Sequence, residues 1–405
     1  MAPNPSTSNG NPTPATLALN NQIMGKLKPA KLFKAAVDNT PSPPAPSGQT
    51  QRPPTPISRS ITGITFDDRG DTVVTASEDE TFRLYSCKTG KLIKTFYSKK
   101  YGVDLPRFTH KNSAIIHAST KEDDTLRYHS LHDNKYLQYF RGHKGKVVSL
   151  EVSPIDDGFM SGSLDKTVRL WDLRSPTCRG VLSLPCPPIV AYDSTGMVFA
   201  VAVGVFSKIL LYDQANFDKA PFLSIDLDDV TLALISYPPR PIFVTSMSFS
   251  SDGKYLLVGC SGGAHYILDA FEGYMMAKLE GHTGLERKNM TVPPLIEPSK
   301  GISGEEVSWT PDSKYVLSGS LDGRVFIWDI QGLQPRSEHE RKYPPSRIQP
   351  TVVLDGHPGP SRCVKFNPRF AMMCTAGTEL AFWLPDPSGD AEDTGKDLPK
   401  KKGVA

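Results

Sequence analysis

The stretch Gly142–Asp172, GHKGKVVSLEVSPIDDGFMSGSLDKTVRLWD, constrains this chain more than any other feature. It begins with Gly-His, ends with Trp-Asp and encloses three short runs with strand periodicity. In Val147–Val152 the residues Val148, Leu150 and Val152 share one face, at the period of two that a strand imposes. A turn carrying Pro154, Asp156, Asp157 and Gly158 follows, then Phe159–Ser163 and a tight corner at Leu164-Asp165-Lys166. In the last run, Thr167–Asp172, Val168 and Leu170 face opposite Trp171. One such unit cannot bury its own apolar faces, so it has to be stacked against others.

The others are present. The Gly-His to Trp-Asp spacing resembles the WD repeat, the unit of a β-propeller. A blade packs face to face with its neighbours, so polar groups caught between blades must find partners. By that resemblance His143, Ser161 or Ser163, Asp165 and Trp171 form a hydrogen-bonded chain. Reading His143 and Asp165 as a catalytic pair is set aside, because the repeat already employs both.

Seven units follow from residue 60 onward. Where Trp-Asp would stand, the first has Tyr85-Ser86, the second Tyr128-His129, the fourth Tyr212-Asp213 and the fifth Leu268-Asp269. The third is the opening stretch. The sixth runs from Gly281-His282 to Trp328-Asp329, and the seventh from Gly356-His357 to Trp383. The first three start about 42–44 residues apart, the period of these repeats. Polar, Pro-rich inserts near 226–241, 285–303 and 331–349 lengthen the later units, and their composition suits rim loops better than added strands.

After Phe382-Trp383-Leu384 the chain turns to Pro, Asp, Gly and Lys, which leaves the seventh unit without an outer strand. An open propeller would present unpaired edges. The apolar-polar segment at about 30–36, in particular Lys31–Ala36, is expected to fill that place and close the ring. The whole reading is an all-β, seven-bladed propeller over 59–385. Residues 1–27 are expected to be a disordered extension, 28–36 the closing strand, 37–58 a Pro-rich linker and 386–405 a disordered charged tail. The linker is read as a spacer in preference to a ligand for an SH3- or WW-type domain. Lys400-Lys401-Lys402 is read as solubilising rather than as a nuclear import signal.

Composition narrows the function. A net charge of +3 gives no argument for nucleic-acid binding, and no specific DNA contact is expected. Cys87, Cys178, Cys186, Cys260, Cys363 and Cys374 show no metal spacing and read as reduced thiols of an intracellular protein. The N-terminus has no signal-peptide pattern, and the apolar run around 197–206 is too short for a bilayer and fits a buried strand. No GxSxG elbow is present. His339-Glu340-Arg341-Lys342-Tyr343 lacks the second histidine of a zinc protease, and RGHKGKV at 141–147 lacks the spacing of a phosphate loop. The acidic pairs fall in turns. No catalytic set converges, so the chain is expected not to be an enzyme and to need no cofactor or metal.

Propellers bind through their ends. Tyr97, Lys99, Lys100 and Tyr101 sit in one inter-blade loop, YSKKYG, and the WD-repeat resemblance implies that Lys144, Lys146 and Lys166 emerge on the same end. A basic, partly aromatic end favours an acidic or phosphorylated peptide, the alternative being solvated lysines around a passive ring.

Longer phrases resemble one family. They are YSKKYGVDLPRFTH (97–110), EDDTLRYHSLHDNKYLQYFRGH (122–143), SGSLDKTVRLWDLRSP (161–176) and AFWLP (381–385). They are similar to the WD-repeat subunit shared by the COMPASS histone H3 lysine-4 methyltransferase complex and by RNA 3′-end-processing or termination assemblies. That resemblance implies a nuclear, non-catalytic scaffold that docks the SET-domain methyltransferase subunit and other COMPASS subunits. It further implies links to transcribing RNA polymerase II and its phosphorylated tail, cleavage and polyadenylation factors and a phosphatase targeting subunit. The alternatives are a ubiquitin-ligase substrate receptor, for which the N-terminus offers no F-box-like helical segment, or a general peptide-binding propeller.

Overall fold

A computed structural model describes residues 18–40, 59–204, 207–229, 242–284 and 305–386. Its strands form seven antiparallel blades. Blade one runs through Ile61–Phe66, Thr72–Ser77, Thr81–Ser86 and Lys91–Tyr97. Blade three uses Val147–Val152, Gly158–Ser163, Thr167–Asp172 and Ser175–Ser183. In each complete unit the first strand lies innermost and the fourth at the rim. The apolar run near 197–206 supplies Val198–Val203, a buried second strand of blade four. Among the described residues no helix is long and apolar enough to cross a membrane.

The core consists of seams between blades. Leu150, Phe159 and Trp171 pack on Ile116, Leu126 and Phe140 of blade two. Met160, Val168 and Leu170, on the other face of blade three, pack on Val190, Phe199 and Tyr212 of blade four. Each strand therefore alternates between two buried sides, as a sheet covered on both faces requires. Gly162 shows how close the blades come. A Cβ there would stand 2.5 Å from the Pro188 carbonyl and the Ser149 hydroxyl, so the small residue in Ser-Gly-Ser is set by the next blade.

Blade seven has the order Leu27–Phe33, Leu380–Pro385, Met373–Ala376, Cys363–Phe366, so the ring is closed by an N-terminal strand. That strand begins and ends three residues before the 30–36 read from the sequence. Pro29 lies inside it opposite Trp383, and the register slips between Pro29 and Lys31. An outer strand tolerates a missing N–H, and a bulge absorbs the irregularity. Residues 34–37 turn instead, which buries Ala36 and Val37 against blade one. The segment assigned to a disordered extension is ordered from residue 18. Asn20 caps a short helix, Asn21–Gly25, by accepting from the Ile23 amide at 2.9 Å, and Met24 is fully buried.

The third insert also departs from a plain rim loop. Ser346–Ile348 pairs in parallel with Met275–Glu280 and gives blade five a fifth strand. The other two inserts, residues 1–17, most of the Pro-rich linker and the basic tail lie largely or wholly outside the described residues. The linker's ends are in view and meet. The Arg59 amide donates to Asn39 Oδ1 at 3.0 Å, and its Nη1 donates to the carbonyls of Asp38 and Thr40 at 2.8 and 3.2 Å.

Candidate interaction surface

The polar chain of blade three runs in one direction. Trp171 Nε1 donates to Ser161 Oγ at 2.9 Å, Ser161 Oγ lies 2.7 Å from His143 Nε2, and His143 Nδ1 lies 2.9 Å from Asp165 Oδ2. Since Ser161 already accepts from the indole, its own proton goes to His143 Nε2, and Nδ1–H donates to Asp165. Burial lowers the His143 pKa, so the imidazole is neutral. Burial pushes Asp165 the other way, but hydrogen bonds from Thr167, the Lys144 amide and His143 prevail and hold it down at about 2. Ser163 is not a member of the chain. It donates to the Gly145 carbonyl at 2.7 Å and accepts from the Asp165 amide at 3.1 Å, fixing the corner below. The histidine is thus committed to holding a loop.

Blades one and two solve the same problem with arginine, which the sequence reading missed. Arg83 reaches Asp79 at 2.9 Å, with Ser77 and Thr81 on the same carboxylate. Arg127 clasps both oxygens of Asp123 at 2.9 Å. The signal was the shared Thr-x-Arg of TFRLYS and TLRYHS, each preceded two residues before its Thr by an aspartate. Arg127 also anchors the YSKKYG loop, because the Tyr101 ring lies 3.8 Å from its guanidinium carbon, with Tyr136 and Tyr139 farther out.

The structure places the expected binding residues on one end of the disc. The Tyr101 carbonyl accepts the amides of Thr120 and Lys121 in blade two's corner, and the Lys144 amide donates to Asp165 in blade three's corner. Tyr97 is 68% exposed, and Lys99, Lys100, Lys144, Lys146 and Lys166 are exposed, whereas Tyr101 is half-buried on Arg127. Lys166 sits at φ 66°, the left-handed corner residue that turns Asp165 toward His143. Glu122 and Asp124 stand in blade two's corner on the same end, so the surface is mixed, with lysines leading.

The innermost strands of several blades enclose a small cavity. A cavity of about 50 Å³ is lined by Arg107, Glu151, Thr245, Glu305 and Lys365, among others. Arg107 Nη2 lies 2.7 Å from Glu305 and 3.3 Å from Glu151, and Lys365 lies 3.2 Å from Glu305. Burial acts to raise both carboxyls; it succeeds at Glu151, while Arg107 and Lys365 hold Glu305 down. That volume accommodates a few waters. The charges there join four blades. Among the described residues no His, Cys, Asp or Glu group has the geometry of a metal site.

Comparison with known proteins agrees with the blade pattern. The chain matches the family described as WD domain, G-beta repeat at residues 54–86, 134–172, 239–266 and 305–329. It is 44% identical to WD repeat-containing protein 82 of Drosophila melanogaster, over 80% of this chain and 90% of the fly protein. It is 35% identical to the Set1 complex component swd2 of Schizosaccharomyces pombe, over 80% of this chain and 92% of the yeast protein. With the COMPASS component SWD2 of Saccharomyces cerevisiae it shares 33% identity over 80% and 91% of the two chains. A WD-repeat propeller closed by its own N-terminal strand and this similar to all three along nearly their whole length, the chain belongs to the family of WD repeat-containing protein 82 and Swd2.

Proposed function

We propose that this propeller is a non-catalytic scaffold of a nuclear Set1/COMPASS-type complex, the histone H3 lysine-4 methyltransferase. The single observation that carries the reading is the near full-length similarity to two proteins named as components of such complexes. The build of the molecule supports it. The blade-three His-Asp pair is spent on structure, the inner strands are joined by ion pairs, and what remains is a rigid body with a lysine- and tyrosine-lined end. On this reading the end formed by Tyr97, Lys99, Lys100, Tyr101, Lys144, Lys146 and Lys166 receives an acidic or phosphorylated segment of a partner. The SET-domain subunit is the first candidate. The phosphorylated tail of RNA polymerase II, cleavage and polyadenylation factors and a phosphatase targeting subunit would use the same scaffold in other assemblies.

Affinity purification from nuclear extract, read by mass spectrometry, tests this. Recovery of a SET-domain methyltransferase with its companion subunits is the expected result. Recovery of ubiquitin-ligase adaptors alone would overturn it. The charged end has its own test in Lys99→Glu combined with Lys100→Glu. Exposed substitutions of this kind shift stability by no more than about 0.5 kcal/mol. Capture of the partner should weaken, and undiminished capture of every partner refutes the assignment of that end.

A further inference from the structure

Outer strands of a propeller meet water, and most here do. Lys91–Tyr97 of blade one and Lys135–Phe140 of blade two expose most or alternate residues. Blade five differs. Its outer strand, Met275–Glu280, has Met276, Ala277 and Leu279 fully buried and even Lys278 only 4% exposed. Along it lies Ser346–Ile348 in parallel register, with Ala277 opposite Ser346, Lys278 opposite Arg347 and Leu279 opposite Ile348.

The added strand is specified by side chains as well as backbone. Arg347 Nε and Nη2 donate to Glu280 Oε2 at 2.8 and 2.6 Å, while Glu280 Oε1 lies 3.2 Å from Lys278. Lys278 reaches Asp229 at 2.6 Å, and Asp229 accepts from the Tyr266 hydroxyl at 2.8 Å. One arginine on the docked strand therefore reads a polar row that runs into the blade. Behind it the insert packs loosely, over a groove of about 570 Å³ lined by Leu333, Arg336, Tyr343, Ser346 and Ile348. It is fastened instead at its base. The Arg336 amide donates to Tyr274 Oη, its Nη1 donates to the Met275 carbonyl, and Arg341 stacks 3.9 Å from the Tyr274 ring.

We propose that the outer edge of blade five is a strand-docking site, and that Ser346–Ile348 is its resident ligand, held in cis by the insert. Main-chain pairing supplies affinity and Glu280 supplies specificity, the division found when an extended peptide is added to a sheet edge. The ligand class follows from the resident sequence YPPSRIQP: an extended segment entering through prolines, with a basic residue facing Glu280 and an aliphatic residue after it. Tethering gives the resident strand an effective concentration that a free competitor does not match. The site is thus closed in the intact chain and open once the insert is displaced.

The test replaces residues 334–349 with a short Gly-Ser turn and measures fluorescence anisotropy of a labelled peptide spanning residues 342–350. The shortened chain should bind it at least about tenfold more tightly than the intact chain. The same peptide carrying Arg347→Glu should lose about tenfold in affinity. A folded, shortened chain that ignores the peptide, or binds it no better than the intact chain, overturns the proposal. Equal binding of the Arg347→Glu peptide overturns the stated ligand class. Should the shortened chain fail to fold, hydrogen exchange on full-length Arg347→Glu decides. Exchange about tenfold faster across Met275–Glu280 supports a docked strand held through Glu280, and unchanged protection there refutes it.

Discussion

Blade three and blade seven carry the same tryptophan anchor but are assembled differently. Blade three draws its four strands from one continuous run between Val147 and Ser183, whereas blade seven takes its outer strand from residues at the opposite end of the chain. Their polar chains differ as well. In blade seven Trp383 Nε1 donates to Thr375 Oγ1 at 2.7 Å, and Thr375 Oγ1 lies 2.8 Å from His357 Nε2, repeating the first links of blade three. No aspartate follows, since the corner reads Gly377-Thr378-Glu379. The first two links therefore recur in both blades, while the corner acid differs: Asp165 hydrogen-bonds its imidazole in blade three, and the charge of Glu379 acts on His357 in blade seven. What blade seven gains from its distant strand is closure, with Met24 and Leu27 packed toward blade six and Phe33 set 4.8 Å from Tyr85 of blade one.

Breaking the closure should give the largest effect. Deleting residues 1–36 removes Met24, Leu27 and Phe33 from two seams, about 5 kcal/mol at the usual value for large apolar side chains, and exposes the Leu380–Pro385 edge. Thermal melting should fall by about 10 °C or more with increased aggregation, and an unchanged melt contradicts closure by this strand. Next is Trp171→Ala, which should cost about 3–5 kcal/mol through lost burial and a buried Ser161 oxygen left without its indole donor. Trp383→Ala should cost more, because Pro29 of the closing strand lies directly across from it. Chemical denaturation of both variants ranks the two sites. Equal losses would mean that the N-terminal strand does not depend on its neighbour's anchor.

Asp165→Asn removes the corner charge while keeping the indole-hydroxyl-imidazole links, and should cost about 1–3 kcal/mol while leaving the fold intact. The smallest effect is the dependence on pH. His143 and His357 both have folded pKa values below the ordinary 6.5, chiefly through burial. The unfolded chain therefore binds protons more readily, so their contribution is complete above about pH 6.5 and is lost as pH falls below it. Asp165, held at about 2 against an ordinary 3.8, contributes fully above pH 3.8 and ceases to contribute as pH falls toward 2. Urea midpoints at pH 7 and pH 5 should differ, and His143→Gln should reduce that difference. A slope unaltered by His143→Gln would mean that this imidazole is not buried neutral.

Reading the sequence goes far where the repeat is local. Blade three is visible in a single stretch, because its turns, alternation and Trp-Asp lie close together. The missing outer strand of blade seven is visible as an absence after Trp383. Its placement slips by three residues because Pro29 argues against a strand only where the ladder needs its N–H, and here it does not. The choice between Ser161 and Ser163 depends on which side of a strand faces Trp171, and Ser161 pairs with Arg169 in the register that points it there. Ser346–Ile348 stays hidden for a different reason. A three-residue strand within the four residues between Pro345 and Pro350 carries no periodicity, and its partner lies far back in the chain. The only trace is in that partner, since MMAKLE lacks the alternation other outer strands show.

The closed ring is tested most directly by fastening it covalently. Lys28 and Leu384 are cross-strand neighbours on the exposed side of blade seven. Lys28→Cys and Leu384→Cys, with a protease site introduced between residues 41 and 58, should leave the N-terminal fragment attached to the propeller after oxidation and cleavage, in denaturing gels without reductant. Release of that fragment, under conditions where the intact protein is folded, would contradict the closure on which the scaffold depends.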